Sequence, residues 1–357
     1  MMEARLLRNV LALTALLAGL ATAPAGAQTA MTLRDRLVVV SSASSAGLTQ
    51  LLVRNFTERH AGVQPPITNA LGSARALEAF CSGTGPQTPD LALVTRRMPR
   101  AMQEACAANG VRDIIELQIG LGAVVLVARR GEAPPALTSR HIWEAVAAER
   151  PVEDEFLPNT ARFWSDISTS LPRSEIRIIL PNREAGTRAL FDDLILESGC
   201  RYVKPVRLLF EASYRRGKCV TARTDGRVVA VASDEVPAAL LAAPPGTLGV
   251  MSFDQLIASG GNFVAVTLDG VVPSAASIGS LDYDQVRTFY LYAKRQHGRN
   301  QQGVGVVRGI REFLVETTSE QAGGPGGYLT IAGLVPLGPA ERAAQRRIAE
   351  TQSLMAR

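Results

Sequence analysis

Short apolar runs alternate with amphipathic stretches along most of this chain. Leu37-Val38-Val39-Val40 reads as a strand. A hydroxyl-rich loop, Ser41 to Gly47, follows it. Leu48, Leu51, Leu52 and Phe56 then recur at helical spacing. The same sequence of events returns twice. A strand over Ile67 to Ala70 leads through Leu71-Gly72-Ser73 into a helix carrying Leu77 and Phe80. A strand over Asp90 to Val94 ends at Thr95-Arg96-Arg97, before a helix from Ala101 to Ala108. Three strands thus stop at small hydroxyl residues where a helix begins. An open α/β sheet needs this geometry for a ligand cleft.

The next run, Gly120 to Val127, is almost continuously apolar, as a strand covered on both faces would be. Ile142, Trp143 and Val146 mark a helix, and Trp164 and Ile167 anchor the chain ahead of a strand at Ile176 to Leu180. Pro181 ends that strand. Gly186 and Thr187 open a helix whose apolar face is Leu190, Phe191, Leu194 and Ile195. Further strands are expected at Val228 to Ala232, Thr247 to Phe253, Phe263 to Leu268 and Phe289 to Ala293. A helix is expected from Gly303 to Thr317. Ala322 to Tyr328 reads as a flexible loop, and Ala340 to Met355 as a charged surface helix.

The segment from Glu175 to Phe191 carries the most chemistry. A loop between a strand and a helix directs free backbone N–H groups and the positive end of the helix dipole at one spot. An anion fits there. Arg183 and Arg188 add charge, although Arg188 is also spaced to pair with Asp192 at i,i+4. The alternative for Ser44, Ser73, Thr95 and Thr187 is plain helix capping.

Composition narrows the function classes. Arg5 and Arg8 precede an apolar run from Val10 to Ala23, and Ala25-Gly26-Ala27 is a small-residue cleavage site. This is the pattern of a secretory signal peptide over residues 1–27, so a periplasmic or secreted location is expected. The net charge is +5, and the basic residues are scattered without interleaved aromatics, which disfavours nucleic acid. An exported chain with four cysteines suggests disulfides. Of three pairings, Cys81–Cys106 and Cys200–Cys219 close local loops and are expected, each worth about 3 kcal/mol; free buried thiols are the alternative. The three histidines, His60, His141 and His297, lie far apart, and no metal-ligand spacing or nucleophile elbow occurs. Glu153, Asp154 and Glu155 read as a solvated charge run. No catalytic residue, cofactor or metal is expected, and the chain is read as a non-enzyme.

Several pieces taken in order resemble one family. They are Ala43-Ser44-Ser45, Leu71-Gly72-Ser73 with Glu78 to Cys81, Asp90 to Arg96, Glu104 to Val111, Trp164 to Ile167, Thr247 to Val250, and Gly333 to Leu337. Together they resemble the phosphate-binding receptors of ABC-type uptake, within the type II periplasmic binding-protein superfamily. The resemblance runs over about Leu37 to Leu337. It implies an α/β fold of two lobes, each a mixed sheet flanked by helices, joined by two crossover strands. Lobe 1 would take residues 31–123 plus 268–357, and lobe 2 residues 124–267. Carried over, the ligand contacts fall on Ser44, Ser73, Thr95, Gly186 and Thr187, with Arg183 a candidate for the family's arginine. Ala185 stands where the motif Ser-Gly-Thr usually has serine, so one hydroxyl donor is missing. The resemblance implies a monomeric receptor for a tetrahedral oxyanion, foremost inorganic phosphate, delivered to ABC permease subunits in the inner membrane. The alternative is a same-fold sensing or adhesive protein, or a receptor for another anion.

Overall fold

The structure is a computed structural model and describes residues 34–42, 45–153, 155–183, 185–298 and 305–356. The expected signal peptide and Ser44 lie outside the described residues.

The fold is a mixed α/β architecture. Eleven strands carry it. They are β1 (Val38–Ser41), β2 (Ile67–Ala70), β3 (Leu91–Val94), β4 (Ile114–Arg129), β5 (Glu149–Val152), β6 (Glu155–Pro158), β7 (Ile178–Pro181), β8 (Val228–Val231), β9 (Leu248–Ser252), β10 (Phe263–Ala265) and β11 (Val286–Lys294). Nine form one sheet in the order β2-β1-β3-β11-β4-β9-β7-β8, with β10 also paired to β4. β5 and β6 form a separate hairpin at the expected charge run.

This order contains a repeat. β2-β1-β3 is a parallel triplet, and so is β8-β7-β9. In each, the first strand in sequence sits at the centre. The chain therefore turns to one side for the second strand and to the other for the third. Such a reversal leaves a crevice at the carboxyl ends of the strands, where α/β sheets take their ligands. The triplets are joined by β11 and β4, which run antiparallel to each other and to the triplets they flank.

Burial follows this division. Leu37, Leu52, Phe56, Leu91, Leu93, Leu291, Phe313 and their neighbours form one buried cluster, and Phe80, Val94, Met98 and Tyr292 a smaller one beside it. The largest cluster runs from Leu121 to Tyr283 and takes in Val335 and Leu337. Trp143 and Trp164 are fully buried in it. Each fully buried Leu, Ile, Val or Phe contributes about 1.5–3 kcal/mol. β4 is the element that belongs to both sides.

Both expected disulfides are present. Cys81–Cys106 and Cys200–Cys219 have Cα atoms 4.4 and 5.4 Å apart, and no cysteine is free. The Arg188–Asp192 pair also forms, at 2.6 Å.

Three expectations are corrected. The strand expected from Gly120 runs 16 residues, from Ile114 to Arg129. Glu116 and Gln118 interrupt its apolar run but alternate with buried neighbours, as a half-covered strand requires. The helix expected from Gly303 starts at Ile310, after Gly309 at φ 95°, a left-handed conformation that ends the preceding loop. Val306 and Val307 are buried in that loop. The segment expected to be a flexible loop is mostly packed. Glu320–Gly323 and Tyr328–Ile331 are helical turns, and a Cβ on Gly327 would lie 2.3 Å from the Ala322 carbonyl oxygen.

Candidate functional site

Four helices follow the triplet strands or precede the bridging strand: α1 (Ala46–Arg59), α2 (Ser73–Phe80), α3 (Arg100–Ala108) and, past α4 (Ser139–Val146), α5 (Gly186–Phe191). The loops leaving β1, β2, β3 and β7 meet at a cleft of about 630 Å³. Ser42 comes from the first loop. Gly72 and Ser73 come from the second, Thr95 and Arg96 from the third, and Arg183, Ala185 and Gly186 from the fourth. These are the carboxyl ends of strands from both triplets.

Each loop is fixed by its own chemistry. Ser45 Oγ donates to the Leu93 carbonyl at 2.7 Å, which ties the first loop to β3. With its proton committed there, Ser45 Oγ accepts from the Ser42 hydroxyl at 2.7 Å and the Ser42 N–H at 3.1 Å. The second loop turns at Gly72, φ 83°, which L-residues with a side chain rarely adopt. Ser73 Oγ then lies 3.5 Å from Thr95 Oγ1. The third loop divides its arginines. Arg97 makes a two-pronged pair with Glu116 at 2.8 and 3.1 Å, whereas Arg96 lines the cleft without an ion-pair partner among the described residues.

The fourth loop lacks a cap. Ala185 holds the N-cap position of α5 and offers no side-chain oxygen. α2, capped by Gly72, also begins without a side-chain cap. The first-turn N–H groups of both helices are therefore left to solvent or ligand. Arg183 is exposed and makes no ion pair among the described residues.

The sequence did not point to three further cleft residues: Asp193, Arg216 and Arg287. The helix after α5 widens to a π turn over Asp192–Leu196. Such turns displace side chains from the ordinary helical stagger and recur at functional sites. Here the two adjacent aspartates part company. Asp192 takes the buried Arg188, and burial holds its carboxyl above the usual range despite that partner. Asp193 takes Arg216 at 2.7 Å and Arg287 at 3.2 Å. Arg216 also pairs with Glu197, and its hydrogen bond to Asp193 raises its pKa further. Among the described residues, four arginines and one carboxylate line the cleft.

A family model described as a PBP superfamily domain matches residues 22–321. The chain belongs to the PBP superfamily. Among solved structures, a possible phosphate binding protein from Planctomyces limnophilus superposes with a TM-score of 0.60 at 14% identity, over 88% of this chain and 98% of that one. An ABC-type phosphate transport receptor from Vibrio cholerae gives 0.54 at 14% identity, over 80% and 95%. Protein SphX of Synechococcus elongatus is 22% identical over 166 residues, and the match spans 45% of each chain.

Within this PBP superfamily chain, the site residues expected from sequence fall into three groups. Ser73, Thr95, Arg183 and Gly186 meet on the cleft. Thr187 is buried in the first turn of α5. Ser44 is outside the described residues, and Ser42 of the same loop lines the cleft. Arg287 lies at the polar start of β11, ahead of the apolar run Phe289 to Ala293. Nothing local marks Asp193 or Arg216. Among the described residues no group of His, Cys, Asp and Glu could hold a metal ion, and no helix is long and apolar enough to cross a membrane.

Proposed function

We propose that this PBP superfamily protein is an exported receptor for a tetrahedral oxyanion, inorganic phosphate foremost, which it hands to an ABC-type permease. The two lobes, 31–123 with 268–357 and 124–267, close on the anion. The observation that carries this reading is the meeting of two uncapped helix starts, the Ser73 and Thr95 hydroxyls and four arginines on one cleft. Backbone N–H groups and guanidinium forks replace the water around a desolvated oxyanion. Arginine gives bidentate geometry as well as charge. Structural relatives are a possible phosphate binding protein and an ABC-type phosphate transport receptor, which supports the same ligand.

A second reading has one observation in its favour. Ala185 offers no hydroxyl at the start of α5, while arginines are abundant. A site richer in charge and poorer in neutral donors suits an oxyanion other than phosphate. Titration calorimetry with phosphate, sulfate, molybdate and an organophosphate separates the two. Tightest binding of phosphate is expected. Binding of another anion with no phosphate binding at millimolar concentration would favour the second reading, and no binding of any would end both.

A further inference from the structure

Asp193 is the only carboxylate on the cleft wall among the described residues, and it holds two of the four arginines. The partners come from different parts of the fold. Arg287 stands on β11, two residues before Phe289 of the first buried cluster. Asp193 lies beside Ile195 and Leu196 of the largest cluster. The pair therefore ties a bridging strand to the helix that follows β7. It is also only partly shielded, since both side chains keep 27% of their exposure. Unlike Asp192, Asp193 points its carboxylate at groups a ligand could also reach. Arg287 Nε is buried and has no hydrogen-bond partner among the described residues, so one donor on that guanidinium is unused.

We infer that Asp193 is an internal anion of the cleft, which occupies Arg216 and Arg287 until an incoming oxyanion takes them over. This rests on the reading of the cleft as an oxyanion site. A guanidinium has a fixed fork of donors and cannot lose its charge. Without Asp193, Arg216 and Arg287 would face each other with only Glu197, on Arg216, to offset their charge. The Asp193 carboxylate offsets that charge in the empty protein. An oxyanion bound between the same two arginines must displace the carboxylate or share them with it. Only a ligand that offers more charge or more acceptors than one carboxylate gains by the exchange. Asp193 thereby sets a threshold: it tunes affinity downward and favours multiply charged, multidentate anions over carboxylates and monovalent anions. Asp193 has Ala189 four residues before it, so unlike Asp192 it has no arginine partner on its own helix.

Calorimetric titration of the wild-type chain, Asp193→Asn, Arg287→Gln and the double variant with inorganic phosphate tests this. Acetate serves as the carboxylate comparison, and all titrations are run at low ionic strength. Asp193→Asn is expected to bind phosphate on the order of tenfold tighter, a coupling of ordinary size between two ligands of one site. It should also admit acetate, which the wild type should not. Arg287→Gln should bind phosphate more weakly, and the double variant should lose most of the gain. Phosphate binding that is unchanged or weaker in Asp193→Asn, with binding intact in the wild type, would overturn the inference. Asp193 would then be a group that positions the arginines for the ligand. Equal phosphate affinity in Arg287→Gln and wild type would overturn it as well. If no variant binds any anion, the oxyanion reading itself falls. Equal melting temperatures for wild type and Asp193→Asn would show that an affinity change is not a folding defect.

Discussion

Two carboxylates in this molecule are each held by cations, and they are built to opposite ends. Asp90 is fully buried at the head of β3. It accepts from Arg34 at 2.5 Å, His297 Nδ1 at 2.7 Å and the Val38 N–H at 2.7 Å. Lys294 is buried nearby, donating to the Gly83 carbonyl at 2.6 Å and Thr88 Oγ1 at 3.0 Å over the face of Phe80. Asp193 has two arginines, no backbone donor and an open side to the cleft. The difference lies in what could replace each carboxylate. Water and ligands cannot reach the Asp90 carboxylate, and the fully buried His297 has no solvent to turn to. The partners of Asp193 do have an alternative. Enclosure, rather than the number of ion pairs, separates a structural charge from an exchangeable one.

The largest expected effect tests that contrast directly. Asp90→Ala leaves the fully buried His297 without its carboxylate and removes the Arg34 pair. It should cost about 3–5 kcal/mol of stability in urea unfolding, whereas Asp193→Asn should cost about 1 kcal/mol or less, as exposed pairs do. Equal losses would erase the distinction. The next test uses pH. Burial pulls the Lys294 pKa from 10.5 down to about 7. Between those values the unfolded chain holds a proton that the folded chain has released. Stability should therefore rise with pH from about 7 to 10.5, by at most about 1.4 kcal/mol per unit from this group. Lys294→Met should flatten that slope, and a slope that persists would assign it elsewhere. The smallest expected effect belongs to the cleft. Ala185→Ser restores a hydroxyl at the start of α5, and should strengthen oxyanion binding by about 0.5–1.5 kcal/mol. The same hydroxyl could cap the helix instead, in which case thermal stability rises and affinity does not.

Much of this was legible in the sequence. The strands of both triplets are short apolar runs closed by small polar residues, and these positions could be read one at a time. Ser73, Thr95, Arg183 and Gly186 were legible for the same reason: each sits where a strand hands over to a helix. The long extent of β4 was hidden because Glu116 and Gln118 break the run that marks a strand. The Asp193–Arg287 pair was hidden more deeply. Its members are separated by most of the second half of the chain, and only the sheet order brings them together. Local pattern cannot report a contact made by topology. Thr187 follows the same strand-to-helix handover and is buried in the first turn of α5.

The placement of β11 has a consequence in time. It lies between β3 and β4, and it is the strand that joins them. Yet roughly 190 residues separate the end of β3 from its start, which at about 5–20 residues per second is roughly 10–40 s of synthesis. Until then β3 and β4 each present an unpaired edge, the feature that invites wrong pairing. A chain cut before Val286 is expected to leave β1 to β3 open to protease, while β7 to β9 keep each other as neighbours. The part of the molecule that is written first is the part that must wait longest to be finished.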